Sequence, residues 1–112
     1  MKKILLLVLC FVLSGCSDTS NDENIENLMA ENEYIIVDVR TEEEYDESHI
    51  SGAINIPYDE INENSNLDKN KIIFVYCRSG ARSEVAFNTL TDLGYTVYDL
   101  GAFSEIDLPK EN

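Results

Sequence analysis

Six consecutive residues, Cys77-Arg78-Ser79-Gly80-Ala81-Arg82, place a thiol among cationic and turn-forming neighbours. The thiolate is the nucleophilic form of cysteine, and a free cysteine ionises only near ~8.5. A tight loop can turn successive backbone N–H groups inward and so make a nest for an anion. Gly80 permits a positive φ in the middle of such a loop. A helix starting behind it aims the positive end of its dipole at the same point. Arg78 and Arg82 add charge. All of this favours thiolate over thiol and cradles an anionic substrate beside it. Cys77 is therefore the candidate catalytic nucleophile, and Arg78, Ser79, Gly80, Ala81 and Arg82 are the candidate substrate-binding residues.

The loop needs a strand before it and a helix after it, and the flanking sequence supplies both. Lys71–Tyr76 (KIIFVY) is the strongest strand pattern in the chain. Arg82–Leu93 reads as a helix with Ala86, Leu90 and Leu93 on one face, ended by Gly94 in a left-handed C-cap. Tyr34–Val39 (YIIVDV) resembles a strand buried on both faces. Thr41 and Glu44 form a capping box that opens a helix through about Glu47. Ala53–Ile56 is a short strand closed by Pro57, Tyr58–Ile61 a helical turn, and Asn62–Asn70 a polar loop. Thr96–Leu100 is the last strand, with Gly101-Ala102 turning the chain. Ile25, Leu28 and Met29 give Ile25–Asn32 one apolar helical face. Strands alternating with helices predict an α/β fold, a parallel sheet with helices on both faces. In such sheets the site lies beyond the carboxyl ends of the strands. The expected core includes Ile36, Val37, Ile54, Ile73, Val75, Ala86, Leu90 and Val97.

Other polar residues have plainer readings. Asp38 and Arg40, at the end of the first strand, are expected to form an ion pair that supports the loops around the pocket. Arg82 opposes the helix dipole in a first turn, which points to a functional or ion-pair role. His49 reads as a hydrogen-bonded turn residue, and Glu42-Glu43-Glu44 as an exposed helix face. Phe103 either lines the pocket mouth or closes the core.

Composition narrows the function classes. There are 22 acidic and 8 basic residues, a net charge of −14. Phosphate backbones would be repelled, so no nucleic-acid partner is expected. A local pocket can still be positive on an acidic body. One histidine and no Cys-x-x-Cys pair leave no metal-ligand spacing. No metal or other cofactor is expected.

The N-terminus reads as an address. Met1-Lys2-Lys3 is basic, and Ile4–Leu13 is an unbroken apolar run too short to span a bilayer, which takes ~20 residues. Leu13-Ser14-Gly15-Cys16 resembles the lipobox of bacterial lipoproteins, which implies lipidation at Cys16. Residues 1–15 are then a signal peptide, 16–24 a lipidated tether, and 25–112 the domain. The expected location is the bacterial cell envelope, on the outer face of the cytoplasmic membrane or the periplasmic side of an outer membrane. Cys77 would be the one thiol of the mature chain, ruling out an internal disulfide.

The domain resembles a single-domain rhodanese, the family of thiosulfate and other sulfane-sulfur transferases. Cys77–Arg82 matches the family's active loop Cys-Arg-x-Gly-x-Arg. Ile36-Val37-Asp38-Val39-Arg40 with Glu43-Glu44-Tyr45 matches its first signature, and His49–Pro57 matches His-Ile-x-Gly-Ala-Ile-Asn-Ile-Pro. Three departures stand out. Ser48 replaces a usual glycine. Gly101-Ala102-Phe103 replaces the usual double glycine with a nearby tryptophan. No first edge strand precedes Ile25, so four or five strands are expected. The resemblance implies that Cys77 takes a sulfur from thiosulfate or a similar small anionic donor, holds it as a persulfide and passes it to a thiol or cyanide. A monomer is expected. A persulfide carrier with little free turnover is the alternative. Cysteine-dependent phosphatases use a longer Cys-x5-Arg loop, which disfavours that chemistry here.

Overall fold

A computed structural model describes residues 21–112 of the chain. The expected signal peptide, the lipobox-like run with Cys16 and residues 17–20 of the expected tether lie outside the described residues. Helix α1 spans Asn21–Glu31, four residues earlier than its apolar face predicts. Ile25, Leu28 and Met29 are half-buried while Glu26, Asn27 and Ala30 are exposed, as the spacing requires. Glu33–Asn112 forms a compact unit of its own, distinct from the one that contains α1.

That unit runs β1 (Tyr34–Asp38), α2 (Glu42–Glu47), β2 (His49–Ile50), β3 (Ile54–Asn55), β4 (Ile72–Cys77), α3 (Ala81–Asp92), β5 (Thr96–Ala102) and β6 (Lys110–Glu111). Four strands form one sheet in the order β3-β1-β4-β5, and every pairing in it is parallel. The fold is α/β with a four-stranded parallel sheet and helices. β2 and β6 make a separate antiparallel pair.

β4 lies in the middle, and Ile73 through Cys77 are fully buried. Alternate β4 side chains therefore meet different environments. Ile73, Val75 and Cys77 join Val37, Val39 and Val97 in a core closed by Ala86 and Leu90 of α3. Phe74 and Tyr76 point the other way, where Phe74 meets the rings of Tyr34 and Tyr98. Helix α3 ends as Gly94 predicts. Gly94 adopts φ +99°, its N–H donates to Thr91 O, and the Tyr95 N–H donates back to Leu90 O. These two bonds satisfy carbonyls that the helix end would orphan.

Two expectations are corrected. Ile54 is 42% exposed rather than core, because β3 is the sheet edge and only half of it is covered. Gly101-Ala102 does not turn the chain; both residues continue β5 and pair with Tyr76 and Cys77. A bulge between Asp99 and Gly101 makes this possible, with the Gly101 N–H turned onto Asp99 Oδ1 at 2.9 Å and φ at +86°.

Candidate active site

β4 delivers Cys77 to the carboxyl edge of the sheet, and α3 begins four residues later. Gly80 is the N-cap of α3 with φ +109°, the left-handed conformation the sequence predicts for it. This turn brings its N–H to 2.9 Å from Cys77 Sγ. The strand's alternation puts Sγ on the α3 side, under the helix start. Burial alone would push the thiol up. Donation from the Ser83 hydroxyl and from the N–H groups of Ser83, Gly80 and Ser79 outweighs it, so Cys77 is held below the ordinary 9.0. The Ser83 hydroxyl also lies 3.1 Å from Gly80 O, so its one proton serves either the carbonyl or the sulfur. Ser83 is fully buried in the first turn of α3. It lies three residues before Ala86 and seven before Leu90, on the helix's buried face, but a serine there carries no sign of its role, and sequence reasoning missed it.

The two arginines of the loop part company. Arg82 reaches across to α2, where Nη1 and Nη2 contact Glu44 Oε1 and Oε2 at 2.9 and 3.2 Å. Glu44 is therefore half-buried and engaged, a correction to the exposed acidic face; Glu42 and Glu43 are exposed as expected. The same Oε1 accepts the Thr41 N–H and hydroxyl, which completes the predicted capping box. The Arg82 contacts hold the Glu44 carboxyl down at about 2. In return Glu44 raises the Arg82 guanidinium further above its ordinary value. Arg78, by contrast, is exposed, and with Ser79 it lines a cavity of about 530 Å³. Ala81 is the first residue of α3 and is exposed. Cys77 itself is fully buried beneath the loop.

The same cavity is lined by Arg40, Glu44, Glu47, Ser48, Phe103 and Ser104. Arg40 and Asp38 form the predicted pair, and both are buried. Asp38 Oδ2 accepts from Arg40 Nη2 at 2.6 Å and from the Tyr76 hydroxyl at 2.7 Å; Oδ1 accepts the Arg40 N–H and Nε–H, each at 2.9 Å. A buried ion pair is stable only when its remaining polar atoms are satisfied in this way. Tyr76 accepts the Ile50 N–H in turn, at 3.0 Å, and stacks on Phe103 at 5.7 Å. Burial, opposed in part by that N–H, pushes the Tyr76 hydroxyl well above its ordinary range, so it remains a donor to Asp38. Tyr76 is the second residue missed: it faces Asp38 directly across the β1–β4 register, which only the pairing reveals. His49 is hydrogen-bonded as expected, though it lies in β2 rather than a turn. Its ring stacks on Tyr45, and its nitrogens meet Tyr45 O at 2.8 Å and Glu111 Oε2 at 3.3 Å.

A sequence profile of the rhodanese-like domain matches residues 21–106. The chain belongs to the rhodanese-like family. Thiosulfate sulfurtransferase PspE of Escherichia coli (strain K12) is 41% identical to this rhodanese over 78 residues, covering 66% of the chain and 75% of the relative. The putative sulfur carrier protein YrkF of Bacillus subtilis (strain 168) is 43% identical over 61 residues, covering 54% of the chain but 33% of that longer protein. Among solved structures, a rhodanese with anions from E. coli superposes with a TM-score of 0.65 at 37% identity, over 70% of this chain and 98% of that one. The domain is thus a rhodanese of the sulfurtransferase type.

Proposed function

We propose that this rhodanese transfers a sulfane sulfur from thiosulfate, or a related anionic donor, to a thiol or cyanide through a persulfide on Cys77. The Cys77 thiolate attacks the outer sulfur of thiosulfate. A bond forms between the two sulfurs, the bond to the sulfonyl sulfur breaks, and sulfite leaves with that electron pair. The persulfide carries one negative charge, and the N–H groups that favour the thiolate also stabilise it. An acceptor thiolate then attacks the outer sulfur and returns Cys77 as thiolate. Neither step draws on a general base: the N–H groups that lower the Cys77 thiol favour its thiolate as nucleophile, and the acceptor enters as thiolate or cyanide.

The observation that carries this reading is the Gly80 N–H at 2.9 Å from Cys77 Sγ, in a Cys-x4-Arg loop between strand end and helix start. The likeness to PspE supports thiosulfate as donor. The likeness to YrkF favours the second reading, a carrier that takes sulfur from a partner and turns over little by itself. Steady-state transfer from thiosulfate to cyanide separates them. Parallel double-reciprocal lines, abolished in Cys77→Ala, are expected of the enzyme. A single loading without turnover identifies the carrier, and undiminished transfer by Cys77→Ala rejects both.

We also propose that the protein is exported and held at the cell envelope by lipid on Cys16. The apolar run ending in Leu13-Ser14-Gly15-Cys16 supports this. Cys16→Ala should release the protein from membranes or leave it unprocessed. Unchanged fractionation and migration would reject the anchor.

A further inference from the structure

The donors around Cys77 are of two kinds. The Gly80 N–H, at 2.9 Å from Sγ, is fixed by the backbone, as are the N–H groups of Ser79 and Ser83 that also reach the sulfur. The Ser83 hydroxyl can rotate, and it has two acceptors, Cys77 Sγ and Gly80 O, the latter at 3.1 Å. A hydroxyl carries one proton and so serves one of them at a time. Gly80 O does not depend on it, since the Glu84 N–H donates there at 3.1 Å as a bond of α3 itself. The choice therefore follows the charge on Sγ, because a hydrogen bond to an ionised acceptor is roughly twice as strong as a neutral one.

That charge changes place during sulfur transfer. In the free thiolate it sits on Sγ. In a persulfide Sγ is a neutral, divalent sulfur and the charge lies on the outer atom. Ser83 is fully buried, as Cys77 is. Arg78 and Ser79 of the loop line the cavity, and Ser83 does not. A sulfur arriving from the cavity meets the loop first, with Ser83 behind the inner sulfur.

We propose that Ser83 is a catalytic residue of the second half-reaction: its hydroxyl turns from Gly80 O to Cys77 Sγ as the acceptor takes the outer sulfur, and it stabilises the departing thiolate. In that step a bond forms between acceptor and outer sulfur, the bond from the outer sulfur to Sγ breaks, and Sγ keeps the electron pair. A stabilised thiolate leaves faster and attacks more slowly. Ser83 therefore speeds discharge rather than loading.

This rests on the sulfur-transfer reading above, but its test needs no thiosulfate. Methyl methanethiosulfonate converts the Cys77 thiolate to a methyl disulfide and releases methanesulfinate. Excess 2-mercaptoethanol then takes the methylthio group and expels Cys77 as thiolate. Both rates are followed by mass spectrometry of the Cys77 peptide, at a pH where the thiol is fully ionised. In Ser83→Ala release should slow about three- to tenfold, the part of a charge-assisted bond expressed at a half-developed thiolate. Labelling should hold or quicken, and Ser83→Thr, which keeps the hydroxyl, should restore release. Equal release in Ser83→Ala and wild type overturns the proposal, as does an equal slowing of labelling and release, the mark of a structural lesion. Should Ser83→Ala not fold, NMR of the wild type decides. The Gly80 carbonyl carbon should move downfield when the thiolate becomes the methyl disulfide, because it gains the hydroxyl, and no movement overturns the proposal. A failure of thiosulfate to load Cys77, with methylthio release still slowed in Ser83→Ala, would strike the proposed function and not the role of Ser83.

Discussion

Cys77 is a strand residue whose sulfur belongs to the core side of the sheet and whose chemistry comes from the turn behind it. Burial and activation act against each other at one atom, and the four donors from Ser79, Gly80 and Ser83 decide the balance. Asp38 presents the same contest with a different outcome. It is fully buried, and its charge is matched by Arg40 and the Tyr76 hydroxyl. Asp38→Ala should therefore cost about 3–5 kcal/mol, because Arg40 would remain as an uncompensated buried charge. Tyr76→Phe should cost only about 1 kcal/mol. Urea unfolding checks both, and a loss below about 1 kcal/mol in Asp38→Ala would contradict this account of the pair. Cys77, Gly80 and the Asp38–Arg40 pair were legible in the sequence because each rests on neighbours within a few positions. Tyr76 was not: its partners Asp38 and Ile50 lie far away in the chain, and an aromatic residue in a buried strand gives no sign that its hydroxyl is engaged.

Helix α2 is short, six residues, and tertiary contact supplements its capping box. Glu44 closes the box at Thr41 and grips Arg82 at the start of α3, so one carboxylate ties the first turns of two helices together. Its ionisation falls from the ordinary 4.5 to about 2. A carboxyl depressed on folding adds stability that is fully present above about pH 4.5 and lost as pH falls toward 2. Glu44→Gln should cost about 1 kcal/mol at neutral pH, since the pair is partly solvated. It should also flatten the loss of stability between pH 4.5 and 2. Thermal melts across that range check this, and identical acid slopes for variant and wild type would contradict it. The caps at Thr41 and Gly94 could be read from sequence because capping is local physics. The end of β5 could not, because a glycine that turns a chain and a glycine that permits a bulge leave the same mark.

The whole molecule opposes its own proposed substrate. A net charge of −14 repels thiosulfate, while the loop N–H groups, the α3 start and Arg78 attract it at close range. Salt screens the long-range term first, over a Debye length of ~8–10 Å at physiological strength. Raising the salt from low to moderate should increase kcat/KM for thiosulfate by about two- to threefold. A steady fall with salt would mean that close attraction, not global repulsion, controls approach. The parallel order of the sheet followed from the alternation of strands and helices. The cavity did not, since Arg40, Glu47, Arg78 and Phe103 come from four separate segments. The central claim is that Cys77 carries the sulfur, and intact-mass spectrometry of the protein after thiosulfate treatment tests it most directly. The account predicts a gain of one sulfur atom, reversed by a thiol reductant and absent in Cys77→Ala; no gain in the wild type, or an equal gain in Cys77→Ala, would contradict it.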